Sequence, residues 1–160
     1  MDSNAKQLTI LFADVAGSTR LYEQLGDQQA RQAIAECIVV MTSAVIQSEG
    51  RVVKTIGDEI MCCFPGPAQA LNAALQIQEK VTGRQFSGTE LMIRIGAHHG
   101  PVLEENGDVF GDAVNLAARM AGVARGGQII VTGECLQGVD AAVRDMARQV
   151  DQAPEKSKAD

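Results

Sequence analysis

The stretch Leu8-Thr-Ile-Leu-Phe-Ala-Asp14-Val-Ala-Gly17-Ser-Thr19 constrains this chain most, because an apolar run rich in branched residues stops abruptly at an acid and a glycine. A short continuous apolar run bounded by a Gly-Ser-Thr turn predicts a fully buried strand over residues 7–15. A second acid closes a similar run in Val52-Val-Lys54-Thr-Ile-Gly57-Asp58-Glu. Here 51–56 and 59–64 read as two strands joined by the tight Gly57-Asp58 turn, a hairpin that carries Asp58 at its tip.

The remaining punctuation orders the rest of the chain. A short helix over 18–25 is stopped by Gly26, and Asp27 caps a long helix whose Ala30, Ile34, Cys37, Ile38, Met41 and Val45 recur on one face until Gly50 ends it. Pro65-Gly66-Pro67 precedes a helix over 68–81, and polar 82–89 reads as a loop. Strands over 91–98 and 102–105 suggest a second hairpin around Gly100, followed by an Asn106-Gly107 loop and a helix bearing Asn115 and Arg119. A strand over 128–132 and a helix over 139–149 complete the pattern. This order suits an α+β, ferredoxin-like sandwich, a mainly antiparallel sheet with helices on one face. At 160 residues and 46% hydrophobic, 1–160 is expected to be a single domain, with 1–7 a lead-in and 151–160 a frayed or truncated tail. No internal repeat is visible.

Three segments carry chemistry. Asp14 and Asp58 read as a divalent-metal pair: a hard cation takes oxygen ligands, prefers one or two carboxylates, and completes its shell with phosphate oxygens and water. A glycine-containing turn beyond a strand-end acid adds backbone N–H groups that hold phosphate. An aspartate so placed can equally cap a helix or turn a hairpin. In Asp108-Val-Phe-Gly-Asp-Ala-Val-Asn115-Leu-Ala-Ala-Arg119-Met, Asn115 and Arg119 are four apart and share one helix face among apolar neighbours. A mostly buried arginine is rarely left unpaired, so its partner is a carboxylate of the fold or an anionic ligand.

Together with Lys54-Thr-Ile-Gly57-Asp58 and Arg94-Ile-Gly-Ala-His-His-Gly100, these segments stand in the order found in the class III nucleotidyl cyclases, and from about Leu8 to Thr132 the chain resembles their catalytic domain. The resemblance implies that Asp14 and Asp58, with the carbonyl of Val15, hold two Mg²⁺ or Mn²⁺ ions, and that Gly17, Ser18 and Thr19 offer N–H groups to a triphosphate. It places Lys54 and Asp108 on the purine, Arg94 on the terminal phosphates, Asn115 on the ribose and Arg119 on the α-phosphoryl group. An ammonium donates to a ring nitrogen and a carboxylate accepts from an exocyclic amine, which fits adenine, whereas similar guanylate cyclases usually carry Glu and Cys at these two places.

The implied activity is that of an adenylate cyclase, ATP to 3′,5′-cyclic AMP and pyrophosphate, with two metals assisting attack of the ribose 3′-oxygen. The implied assembly is a homodimer in which one subunit gives the acids and the other gives the purine pair, Asn115 and Arg119. A guanylate cyclase and a catalytically silent nucleotide-binding domain are the alternatives. The tail departs from the family pattern: an ungapped comparison puts Lys156 on a phosphate-touching lysine, but Ser157 replaces the expected glycine and Pro154 weakens the strand.

A net charge of −6 argues against a nucleic-acid surface. The four cysteines have no ligand-like spacing and read as buried apolar residues, and neither His98 nor His99 is assigned a catalytic role. No signal peptide or bilayer-length apolar run is present, so a cytoplasmic domain without membrane contact is expected, fused to or regulated by a sensor domain in a parent protein that could itself be anchored.

Overall fold

The computed structural model describes residues 5–137 and 139–145. Strand β1 (Ala5–Val15) begins two residues earlier than the expected strand, with its first three residues exposed rather than buried, and is followed by helices α1 (Ser18–Leu25) and α2 (Asp27–Gln47). Asp27 does not cap α2: the N-cap is Gly26, with no side-chain cap bond, and Asp27 lies in the first turn. The hairpin of β2 (Arg51–Ile56) and β3 (Glu59–Phe64) leads into α3 (Pro67–Val81). In the segment expected to be a loop, β4 (Gln85–Phe86) and β5 (Thr89–Glu90) pair across Ser87 and Gly88, both at positive φ, and bury Phe86.

The expected hairpin around Gly100 does not exist. Strand β6 runs unbroken over Ile93–Glu105 and turns only at Asn106-Gly107, where both residues have positive φ, into β7 (Asp108–Phe110). Gly100 is extended, and what it provides is space: a Cβ there would stand 3.0 Å from the His98 ring and 3.4 Å from Ala113. Helix α4 (Asp112–Val123), strand β8 (Ile129–Val131) and the short helices α5 (Gly133–Leu136) and α6 (Ala141–Arg144) follow. The rest of the helix expected over 139–149, and the tail with Lys156, lie outside the described residues.

The main sheet has the order β2-β3-β1-β6-β7, all antiparallel, with β8 added parallel to β6. Alternation along β1 divides its side chains between two layers. Leu11, Ala13 and Val15 join the core under α2 and α3, whereas Ile10 and Phe12 pack with Ala113, Ala117 and Ala121 of α4. The sandwich is α+β as expected; α2 and α3 form its helical layer, and α4 crosses the opposite face. Gly96 lets α4 in. A methyl there would overlap the backbone nitrogen of Ala121 and stand 2.6 Å from its Cα.

All four cysteines are buried and free. Burial pushes the Cys37 and Cys135 thiols up to about 12 and raises Cys62 and Cys63 as well. Since the thiolate is the reactive species, native protein held at about pH 8 should take up almost no iodoacetamide by mass spectrometry, and the unfolded chain should be fully labelled. Native labelling of Cys62 or Cys63 would contradict this packing. No helix of the described residues is long and apolar enough to cross a membrane.

Candidate active site

Strand pairing gathers the first group of candidates. Asp14, one residue from the end of β1, stands opposite Glu59 of β3 on one side and Arg94 of β6 on the other. Its parity with Ile10 and Phe12 sets it on the α4 face. Arg94 grips it with two bonds, Nε to Oδ1 at 3.0 Å and Nη2 to Oδ2 at 2.8 Å. The hairpin tip is drawn to the same place, because the Val15 amide donates to the Asp58 carbonyl at 3.4 Å. Burial, then the charges of Asp14 and Asp58, raises the carboxyl of Glu59 above its usual range. This corner of the sheet is therefore strongly electronegative.

Gly17 adjoins the acids in a left-handed conformation (φ 68°) that favours glycine and opens α1 without a side-chain cap. The first intrahelical bond of α1 is Leu21 N–H to Gly17 C=O, so the N–H groups of Ser18 and Thr19 precede the ladder. A cavity of about 490 Å³ between α1, α2 and the β2–β3 turn touches Ser18, Tyr22, Arg31 and Asp58. The structure thus brings together Asp14, Val15, Asp58, Arg94 and the Gly17-Ser18-Thr19 turn.

The second group lies where the sheet closes on itself. Although β2 and β7 are at opposite ends of the strand order, Lys54 Nζ is 3.1 Å from Asp108 Oδ2. Beside that pair, Arg51 donates to the Gly107 carbonyl at 3.1 Å and to Glu104 at 3.0 Å, and Glu104 also meets Lys6 at 2.6 Å. The sheet must curl until its edges face one another. Asp108 accepts from the Val109 N–H at 2.7 Å, and that bond, with Lys54 second, holds its carboxyl below the usual range. The pair is charged and accessible.

The third group is on α4. Asn115 is exposed and Arg119 half-buried, one turn apart. Nη1 of Arg119 is buried with no hydrogen-bond acceptor among the described residues. A buried guanidinium N–H left so is costly, and an anionic or carbonyl oxygen is the group it fits. No hydrogen bond or ion pair among the described residues links Asn115 or Arg119 to Asp14 or Asp58. His98 and His99 are bonded to Thr132 at 2.7 Å and Thr9 at 2.8 Å. Sequence reasoning missed the Asp14–Arg94 pairing and the place of Glu59 beside it; the register of strands 80 positions apart gave no local signal.

The acid corner suits a hard divalent cation. Its candidate donors are the carboxylates of Asp14 and Asp58, whose charges, after burial, raise the neighbouring Glu59 carboxyl. Among the described residues no group of three or more His, Cys, Asp or Glu is placed to enclose a metal.

The sequence model of the "Adenylate and Guanylate cyclase catalytic domain" matches residues 2–153. The chain is 34% identical over 128 residues to a pH-sensitive adenylate cyclase of Mycobacterium tuberculosis, covering 79% of this chain and 31% of that protein. It spans about a third of the length of its mycobacterial and streptomycete relatives. The crystal structure of an adenylate/guanylate cyclase/hydrolase from Silicibacter pomeroyi superposes with a TM-score of 0.70 at 35% identity, covering 84% of this chain and 80% of that one. The catalytic core of a rhodopsin-guanylyl cyclase with converted specificity, in complex with ATPαS, gives 0.78 at 25% identity, covering 84% and 83%.

Proposed function

The chain belongs to the adenylate and guanylate cyclase catalytic domain family, and from that premise we propose that it is an adenylate cyclase, forming 3′,5′-cyclic AMP and pyrophosphate from ATP at a site shared by two copies. The observation that carries the choice of nucleotide is the Lys54–Asp108 pair, 3.1 Å apart and accessible. Asp108 accepts from the exocyclic amine of adenine while Lys54 donates to a ring nitrogen. Guanine would present its carbonyl to that carboxylate and be repelled.

Asp14 and Asp58, with the Val15 carbonyl, would hold Mg²⁺ or Mn²⁺. A pair of such ions supplies activation of the attacking oxygen and stabilisation of the leaving group. The chain's own residues do the rest. The N–H groups of Gly17, Ser18 and Thr19 cradle phosphate oxygens, Arg94 binds the terminal phosphates, and Lys156 adds a further phosphate contact. Asn115 orients the ribose so that its 3′-oxygen lies in line with the α-phosphorus, and Arg119 donates to the α-phosphoryl oxygens as charge builds there. No protein nucleophile is needed, since positioning and electrostatics provide most of the acceleration.

Sharing between copies is supported by two features. Within one chain nothing among the described residues bonds Arg119 to the acids, and Met92, Phe110 and Val123 expose apolar surface around the elements concerned. The domain is read as one cyclase module of a longer, regulated protein.

Incubation with ATP or GTP and Mg²⁺ or Mn²⁺, with the cyclic product identified by mass spectrometry, tests the reading; equal turnover of both nucleotides would remove the roles of Lys54 and Asp108. The combined Lys54→Glu, Asp108→Cys variant should move preference toward GTP by at least about tenfold in kcat/KM ratio, since a buried mismatch of hydrogen-bond partners discriminates strongly. Glutamate accepts from the guanine ring N–H and amine, and cysteine removes the charge facing its carbonyl.

A further inference from the structure

Arg94 grips Asp14 through both carboxylate oxygens, at 3.0 and 2.8 Å, in the position where the reading above puts the metal. We propose that Arg94 is the resident counter-ion of Asp14, and that a divalent cation displaces it far more readily when a triphosphate arrives to receive the guanidinium. The inference rests on the metal role given to Asp14 and adds a coupling to it.

The pairing is built in. Asp14 and Arg94 are direct register partners on adjacent antiparallel strands, so the backbone ladder holds their Cα atoms opposite one another. The side chain of Asp14 is 14% exposed and that of Arg94 33%, so the acid is the more enclosed member and the cation the one with freedom to swing. Its other near neighbours in charge are the carboxylates of Asp58 and Glu59. Without Arg94, Asp14 would stand among like charges, partly desolvated. The guanidinium is thus the group that makes the empty corner tolerable.

A Mg²⁺ or Mn²⁺ ion needs at least one Asp14 oxygen as a direct ligand, yet while the fork is closed both oxygens are engaged and a positive charge lies within a few ångströms of the metal's place. Bare metal therefore competes against Arg94. A triphosphate changes the balance, because its terminal oxygens offer the same fork a bidentate, doubly anionic partner. Metal and nucleotide then bind with positive coupling, and the acid is released to the metal in the same movement that fixes the phosphates.

The test is binding, not turnover. Mn²⁺ titrations followed by electron paramagnetic resonance, with and without a non-hydrolysable ATP analogue and with analogue-bound Mn²⁺ subtracted, are run on the wild type and on Arg94→Gln, Arg94→Lys, Asp14→Asn and Asp58→Asn. In the absence of nucleotide, Arg94→Gln should bind Mn²⁺ about tenfold or more tightly than the wild type, with Arg94→Lys, which keeps the charge and loses the fork, in between. The analogue should tighten Mn²⁺ binding at least about tenfold in the wild type and much less in Arg94→Gln. Circular dichroism melts establish that each variant is folded, and Arg94→Lys carries the test should Arg94→Gln not fold. Equal or weaker nucleotide-free binding by the Arg94 variants would overturn the exchange while leaving the metal site standing, provided Asp14→Asn still abolishes binding. If Asp14→Asn and Asp58→Asn bind Mn²⁺ as the wild type does, the metal site and the exchange fall together.

Discussion

An Asp58→Ala chain mixed with an Arg119→Ala chain is expected to regain the cyclic nucleotide synthesis that neither shows alone. Asp58 sits at the β2–β3 tip beside Asp14, whereas Arg119 is on α4, its Nη1 without an acceptor among the described residues. A two-fold dimer repeats each contact, so each of its sites would take its acids from one copy and its arginine from the other. Losing either should lower turnover by roughly 100- to 1,000-fold, the scale seen when a donor to developing charge is removed. For Arg119→Ala the fall should lie in kcat rather than KM, because the contact tightens as the transition state forms. Random exchange makes about half of the dimers mixed, each with one of its two sites whole, so about a quarter of wild-type activity should return. Mixing Asp58→Ala with Asp14→Ala repairs nothing, since both lesions fall in the same half. No recovery in the first mixture would end the shared-site reading.

Gly96→Ala is expected to damage both stability and activity. The added methyl would overlap backbone atoms of α4, which no rotamer change can relieve, so the helix must lift from β6. Overpacking of this kind costs about 1–3 kcal/mol and occasionally more, and an encounter with backbone belongs at the upper end. The melting temperature should fall by on the order of 10 °C. Because α4 carries Asn115 and Arg119, turnover should fall in the fraction that remains folded. Gly122→Ala is the matched control: it lies in the same helix, a Cβ there meets nothing within 4 Å, and alanine favours the helix by roughly 0.8–1.0 kcal/mol over glycine. If the two variants melt alike, the close approach of α4 to the sheet is wrong.

Much of this was legible in the residues. The β2–β3 hairpin and α1 fall where the turn glycines and the apolar runs put them, and of the expected α2 face Ala30, Ile34, Cys37, Met41 and Val45 are buried while Ile38 is only half-buried at its margin. Local signals failed where a residue answers to distant neighbours. Gly100 reads as a turn, but it is small because a histidine ring and Ala113 crowd it. Ser87-Gly88 lies in a polar stretch, and its hairpin is recognisable only once Phe86 is seen to be buried. The face chosen by α4 depends on how the chain returns across the sheet. Of the site, residue types at strand ends and turns were readable, and the Asp14–Arg94 fork, which follows from strand register, was not; Lys54 and Asp108 were put together by the family resemblance alone, and curvature of the sheet is what lets them meet.

That curvature has a consequence for how the protein behaves in a crowded solution. An open sheet leaves a row of unmatched amides and carbonyls along each outer strand, and such borders recruit other chains into aggregates. Here one border is decorated with Arg51 and Lys54, which reach across to Asp108 on the other and to Gly107 and Glu104 beside it. The charges proposed to read a nucleobase also stand guard over both margins, so a change made there to alter substrate choice will be felt in solubility as well.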